Sequence, residues 1–207
     1  MANAITLARI PLLVIVVLLL YLGNPWMQVA TTPVVLILIL MDTLDGMVAR
    51  RRHEVGMLGS KLDIAVDRIV ELVLWVVYAH LNLIPVAIPI IVIIRGELVD
   101  TVRSFSLVWG KTPFGMMRTR WGRRLVGSGV MRTTYGVAKG VAFCTLTLTL
   151  GLRRLWADTA GAIETLALAV SWIATALCIV RGAPVLVEAP TMLKDVDLLV
   201  EQQAAKR

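Results

Sequence analysis

Residues 41–73 read MDTLDGMVARRRHEVGMLGSKLDIAVDRIVELV. The stretch lies between two runs apolar enough for lipid, yet it carries four aspartates, Asp42, Asp45, Asp63 and Asp67. Asp42 and Asp45 are three residues apart, and Asp63 and Asp67 are four apart. On helices each pair shares one face. A short connection between the two helices makes them antiparallel, which matches the pairs in depth and lets four carboxylates converge. Each carboxylate at the centre of a bilayer costs about 2.5–3.5 kcal/mol, and mutual repulsion adds to that. Something must neutralise them: protons, nearby arginines such as Arg50 and Arg68, or divalent cations, whose preference for hard oxygen ligands fits best. Two such ions would offset the four formal negative charges. Salt bridges to Arg50 and Arg68 alone would leave two acids unmatched.

The rest of the chain supports a membrane setting. Of 207 residues, 58% are hydrophobic and 17% charged, with a mean hydropathy of +0.81. Soluble domains run at about 45–50% apolar and about 25% charged. We expect an all-α, polytopic membrane protein with six transmembrane helices and a short N-terminal interfacial helix. The spans are placed at about Ala8–Gly23, from Pro33 through the acidic stretch, Ser60–Leu81, Pro85–Val108, Thr133–Leu152 and Ile163–Arg181. Each is near the roughly 20 residues that a bilayer core requires. The domain is expected over residues 1–182, with a cytosolic tail over 183–207 and no cleaved signal peptide. Asn3, Thr6 and Arg9 recur on one face of the N-terminal segment, and composition favours a solvated face beside lipid headgroups.

The net charge is +7. Arg9, Arg50, Arg51, Arg52 and Lys61 fall on one side of the predicted spans, together with Lys111, Arg118, Arg120, Arg123, Arg124 and Arg132. Arg153 and Arg154 fall on the other, partly balanced by Asp158. By the positive-inside rule, both termini and the acidic stretch face the cytosol. The basic excess is thereby explained without a nucleic-acid partner. Trp26, Trp75, Trp109, Trp121 and Trp156 lie near predicted helix ends, as an interfacial belt would. Cys144 and Cys178 sit in apolar runs and read as small hydrophobes. Intramembrane acids also line channels and proton-coupled transporters, so a cation- or proton-coupled transporter is the alternative of another class.

The spacing is more specific than the acids themselves. Asp42, two residues, Asp45-Gly46, two residues, Ala49-Arg50, eight residues, Gly59, three residues, Asp63, three residues and Asp67 fix eight positions across 26 residues. This resembles the signature of the CDP-alcohol phosphatidyltransferase family, D-x₂-D-G-x₂-A-R-x₈-G-x₃-D-x₃-D, at every fixed position. The N-terminal NAITLARI is also similar to the lead-in of many members.

The resemblance implies a phosphatidyl transfer in phospholipid biosynthesis, from CDP-diacylglycerol or a similar CDP-lipid to a small alcohol or sugar-phosphate acceptor, with release of CMP. It implies that Asp42, Asp45, Asp63 and Asp67 hold two Mg²⁺ or Mn²⁺ ions and that Asp67 is the general base. Gly46, Ala49, Arg50 and Gly59 would surround the CDP group, among membrane lipids, in a homodimer. A phosphorylated acceptor needs convergent guanidinium or ammonium groups, and Arg103, Lys111, Arg118, Arg132 and Lys139 are the candidates. Glycerol 3-phosphate is favoured, because RGELVDTVRS (residues 95–104) resembles the Arg-Glu segment of phosphatidylglycerophosphate synthases, with Gly96 inserted between Arg95 and Glu97. Inositol 1-phosphate, or a free alcohol such as serine, is the alternative.

Overall fold

A computed structural model describes residues 2–51, 57–108 and 128–204, with side chains over 6–41, 59, 62–102, 128–156 and 160–190. Six helices and no strand occur among the described residues: α1 (Ala2–Leu22), α2 (Pro25–Arg51), α3 (Met57–His80), α4 (Ala87–Val108), α5 (Gly129–Leu155) and α6 (Ala157–Ala204). The all-helical expectation holds, and several boundaries move. The N-terminal segment is not a separate interfacial helix; α1 is continuous from Ala2 through Pro11. The second helix starts at Pro25 rather than Pro33. Asn24 precedes Pro25, and its Oδ1 accepts the backbone N–H of Met27 at 2.9 Å. An N-cap side chain followed by proline at the first helical position is a strong start signal. Helix α6 runs beyond Arg181, through Pro184 and Pro190, so residues 183–204 are helical. Each proline removes one backbone donor and not the whole ladder.

Two compact units divide the chain: residues 1–89 with 138–173, and residues 90–137 with 174–207. In the first, α1 packs against α2 and α3. Val16, Leu20, Val35, Leu38 and Leu74 are fully buried there, and Trp75 packs against Phe143 with ring centroids 4.8 Å apart. Trp75 is therefore a core residue and not part of an aromatic belt, because α3 turns its apolar face toward α5. Trp26 and Trp156 are exposed and meet edge to face at 5.6 Å, as anchors at a helix end would. Two buried polar side chains find partners here. The Tyr78 hydroxyl lies 2.7 Å from that of Thr147 and 3.2 Å from the Phe143 carbonyl, and Gln28 donates to the Leu20 carbonyl at 2.9 Å.

At the turn between α3 and α4, Asn82 takes a left-handed φ of 57°, a conformation that asparagine tolerates better than most residues. Arg153 at the end of α5 donates to the Asn82 carbonyl at 3.3 Å and forms an ion pair with Glu164. Its charge is thus balanced by Glu164; the side chain of Asp158 lies outside the described residues. In the second unit, Val99 and Val185 are buried together with Val102 and Leu186 beside them. Arg95 is buried against Gly182, where a Cβ would collide with its guanidinium.

Helix α5 and residues 160–190 of α6 are long and apolar enough to cross a membrane, and α1 and α2 carry shorter apolar runs, Thr6–Leu22 and Pro25–Met41. Val14, Ile15, Leu18, Leu36, Ile37 and Leu40 are each about half exposed on these shorter runs. Water would oppose such a surface, whereas lipid would not.

Gly151 sets how closely α5 approaches α2. A Cβ there would stand 2.5 Å from Val29 Cγ2 and 2.8 Å from the Pro25 carbonyl oxygen. Backbone cannot yield as a flexible side chain can. Gly151→Ala is expected to destabilise the protein by about 1–3 kcal/mol, the usual cost of overpacking, read as a lower midpoint of thermal unfolding in detergent micelles. Gly161→Ala, at a position with open space, is the control and should leave the midpoint in place.

Candidate active site

The acidic signature is carried by α2 and α3. Asp42, Asp45, Gly46, Ala49 and Arg50 lie on α2, and their side chains are outside the described residues. Gly59, Asp63 and Asp67 lie on α3, and both aspartates are half-buried. They are one helical turn apart and share a face. Glu71 continues the same row one turn further on and is 2% exposed.

Among the described residues, three cations meet this row. Arg9 reaches over from α1, with Nη2 3.6 Å from Oδ1 of Asp67. Lys139 comes from α5, with Nζ 3.7 Å from the same Oδ1 and 3.2 Å from Oε2 of Glu71. Arg68 lies 3.6 Å from Glu71 Oε2. Only the contact between Lys139 and Glu71 is short enough to be a hydrogen bond; the others are charge contacts. Asp67 is 37% exposed, while Arg9 is 1% and Lys139 12% exposed. The arrangement is an accessible carboxylate backed by buried positive charge. Both contacts to Asp67 among the described residues end on Oδ1.

Two members of this cluster were not assigned from the sequence. Thr6 and Arg9 are buried, which overturns the solvated face expected at those two positions, while the side chain of Asn3 lies outside the described residues. The recurrence every third residue was the correct signal; the face it marks turns inward because α1 packs on α3. Glu71 was signalled by its four-residue step from Asp67, continuing the step from Asp63. Of the candidate acceptor contacts, Arg132 is exposed near the start of α5 and Lys139 is held by carboxylates. The side chains of Arg103, Lys111 and Arg118 lie outside the described residues. So does the side chain of Arg50, while Arg68 meets Glu71. Among the described residues, no group of three or more His, Cys, Asp or Glu side chains is gathered to hold a metal ion.

The sequence profile of the CDP-alcohol phosphatidyltransferase family matches residues 1–180. The chain belongs to that family. It is also 32% identical, over 144 residues, to a Pseudomonas fluorescens protein named CDP-diacylglycerol–glycerol-3-phosphate 3-phosphatidyltransferase, covering 68% of this chain and 73% of the relative. The phosphatidyltransferase is thus an enzyme of a membrane-integral family that is generally dependent on a divalent metal. The transporter reading of the intramembrane acids falls away with that membership.

Arg9 links α1 to the row of acids. Among the described residues, removing its charge leaves Asp67 with Lys139. Because Asp67 is partly exposed, the loss is smaller than for a fully buried pair. Arg9→Met is expected to cost about 1–3 kcal/mol, and Arg9→Lys less, measured as thermal midpoints in micelles. Equal midpoints for the wild type and Arg9→Met would show that the contact contributes nothing.

Proposed function

We propose that this phosphatidyltransferase moves the phosphatidyl group of CDP-diacylglycerol to glycerol 3-phosphate and releases CMP. The observation that carries the reading is the half-exposed Asp67 carboxylate, backed by Arg9 and Lys139 and lying at the last position of a complete signature. The name of the Pseudomonas fluorescens relative supports both the donor and the acceptor.

The donor is a lipid, so the site belongs in a bilayer. It also carries a nucleotide, so the site must open to the cytosol, in keeping with the basic segments on that side. We take the chain as six spans with both termini cytosolic, working as a homodimer, with the transferase domain over residues 1–182.

Asp42, Asp45, Asp63 and Asp67 supply hard oxygen donors of the kind that Mg²⁺ or Mn²⁺ prefers. On this reading they hold two such ions, which when bound offset the charge of the donor diphosphate. Gly46, Ala49 and Gly59 leave room for the CDP group, and Arg50 lies near its phosphates. As the acceptor hydroxyl attacks the lipid-side phosphorus, its proton passes to Asp67, directly or through one water. The bond to the CMP oxygen breaks, and CMP leaves with the electron pair. Arg103, Lys111, Arg118 and Arg132 are the candidates to meet the acceptor phosphate, since guanidinium forks match phosphate oxygens.

Purified protein supplied with CDP-diacylglycerol and Mg²⁺ should release CMP with glycerol 3-phosphate and yield phosphatidylglycerophosphate by mass. Product only with inositol 1-phosphate or serine would replace the acceptor and keep the reaction class. Chelation of the divalent ion should stop turnover, and Mn²⁺ should restore it. Asp67→Asn is expected to lower kcat by at least about 100-fold, as for loss of a general base, while CDP binding persists. Near-normal turnover in that variant would remove Asp67 from the role. Asp42→Ala should lose Mn²⁺, read by anomalous scattering; unchanged occupancy would remove it from the ligand set.

A further inference from the structure

Among the described residues, Lys139 lies against the carboxylates of Glu71 and Asp67, and they are not equivalent. Its Nζ lies 3.2 Å from Glu71 Oε2, within hydrogen-bond range, and 3.7 Å from Asp67 Oδ1, beyond it. Glu71 is 2% exposed and Asp67 37%. Charge contacts are screened less where water is excluded, so the bond to Glu71 is the stronger of the two. Glu71 therefore fixes Lys139, and Lys139 in turn faces Asp67.

An aspartate needs such help. Its terminal torsion is broad and roughly two-fold, so either oxygen can point either way at small cost. A base must present one defined oxygen to the hydroxyl it deprotonates. Here Lys139 and Arg9 approach the same oxygen, Oδ1, from α5 and α1. Two cations on one oxygen select one orientation of the carboxylate and leave Oδ2 out of both contacts.

We propose that Glu71, outside the family signature, is a positioning residue: it anchors the Lys139 ammonium against Oδ1 of Asp67 and thereby presents Oδ2 to the acceptor hydroxyl. Lys139 then serves the base and does not contact the acceptor phosphate. The inference rests on the reading of Asp67 as the base.

The test is a cycle of Glu71→Met, Lys139→Met and the double variant, with Glu71→Asp as the conservative replacement. Each is assayed in micelles for kcat and for the KM of CDP-diacylglycerol and of glycerol 3-phosphate. CDP affinity by titration calorimetry is the readout independent of turnover. Glu71→Met should lower kcat about 10–100-fold, the usual size of an outer-sphere positioning effect, with both KM values and CDP affinity unchanged. Glu71→Asp should recover part of the loss. The double variant should be no slower than Lys139→Met alone, because on this proposal Glu71 reaches Asp67 through Lys139. That variant also removes both buried charges together, which proteins tolerate better than losing one.

Losses that multiply in the double variant would overturn the proposal. So would Lys139→Met raising the KM for glycerol 3-phosphate at unchanged kcat, since the ammonium would then be an acceptor contact. Asp67→Asn separates the two layers. If it keeps turnover, the base assignment and this proposal both fall. If it is inactive and the cycle is multiplicative, the proposal alone falls.

Discussion

A carboxylate in an apolar helix must be answered by positive charge or be neutralised, and that requirement organises the first unit of this protein. Helix α3 lines up Asp63, Asp67 and Glu71 at four-residue steps among buried Val66, Val70 and Leu74. The answering cations come from three places: Arg68 on α3 itself, Arg9 on α1 and Lys139 on α5. Packing of α1 and α5 against α3 is thus electrostatic as well as apolar. The helices that bury Trp75, Tyr78 and Phe143 also deliver the counter-charges. Buried ion pairs are poor sources of net stability. Their presence here fits a site that needs charge held in fixed places.

Much of this was legible in the sequence, because the spacing of acids is a local property. The eight fixed positions from Asp42 to Asp67 gave the family, and helical periodicity put Asp63 and Asp67 on one face. The long apolar runs gave the helices. Exact ends were less legible, since they depend on capping details such as Asn24 beside Pro25 and on whether prolines such as Pro184 interrupt a helix or sit within it. An apolar run says where lipid can be; it does not say where hydrogen bonding stops.

What the sequence could not give was pairing across long separations. Arg9 reads equally well as a headgroup anchor, and only the packing of α1 on α3 turns it inward. Lys139 reads as a snorkelling side chain or as a phosphate contact, and its place beside Glu71 and Asp67, 68 and 72 residues earlier in the chain, is not legible there. Trp75 has the composition of an interfacial anchor and the environment of a core residue. In each case the residue type allowed two fates, and a neighbour distant in sequence decided between them.

The order of these charges along the chain bears on biogenesis. Arg9 emerges from the ribosome before Asp67 and Glu71, whereas Lys139 follows long after them. Helix α3 is therefore made with Arg9 and Arg68 as its early counter-ions, and Glu71 receives the Lys139 ammonium only once α5 has been made. A chain stopped between α3 and α5 would hold Glu71 without that ammonium, so the ion pair closes only late in synthesis.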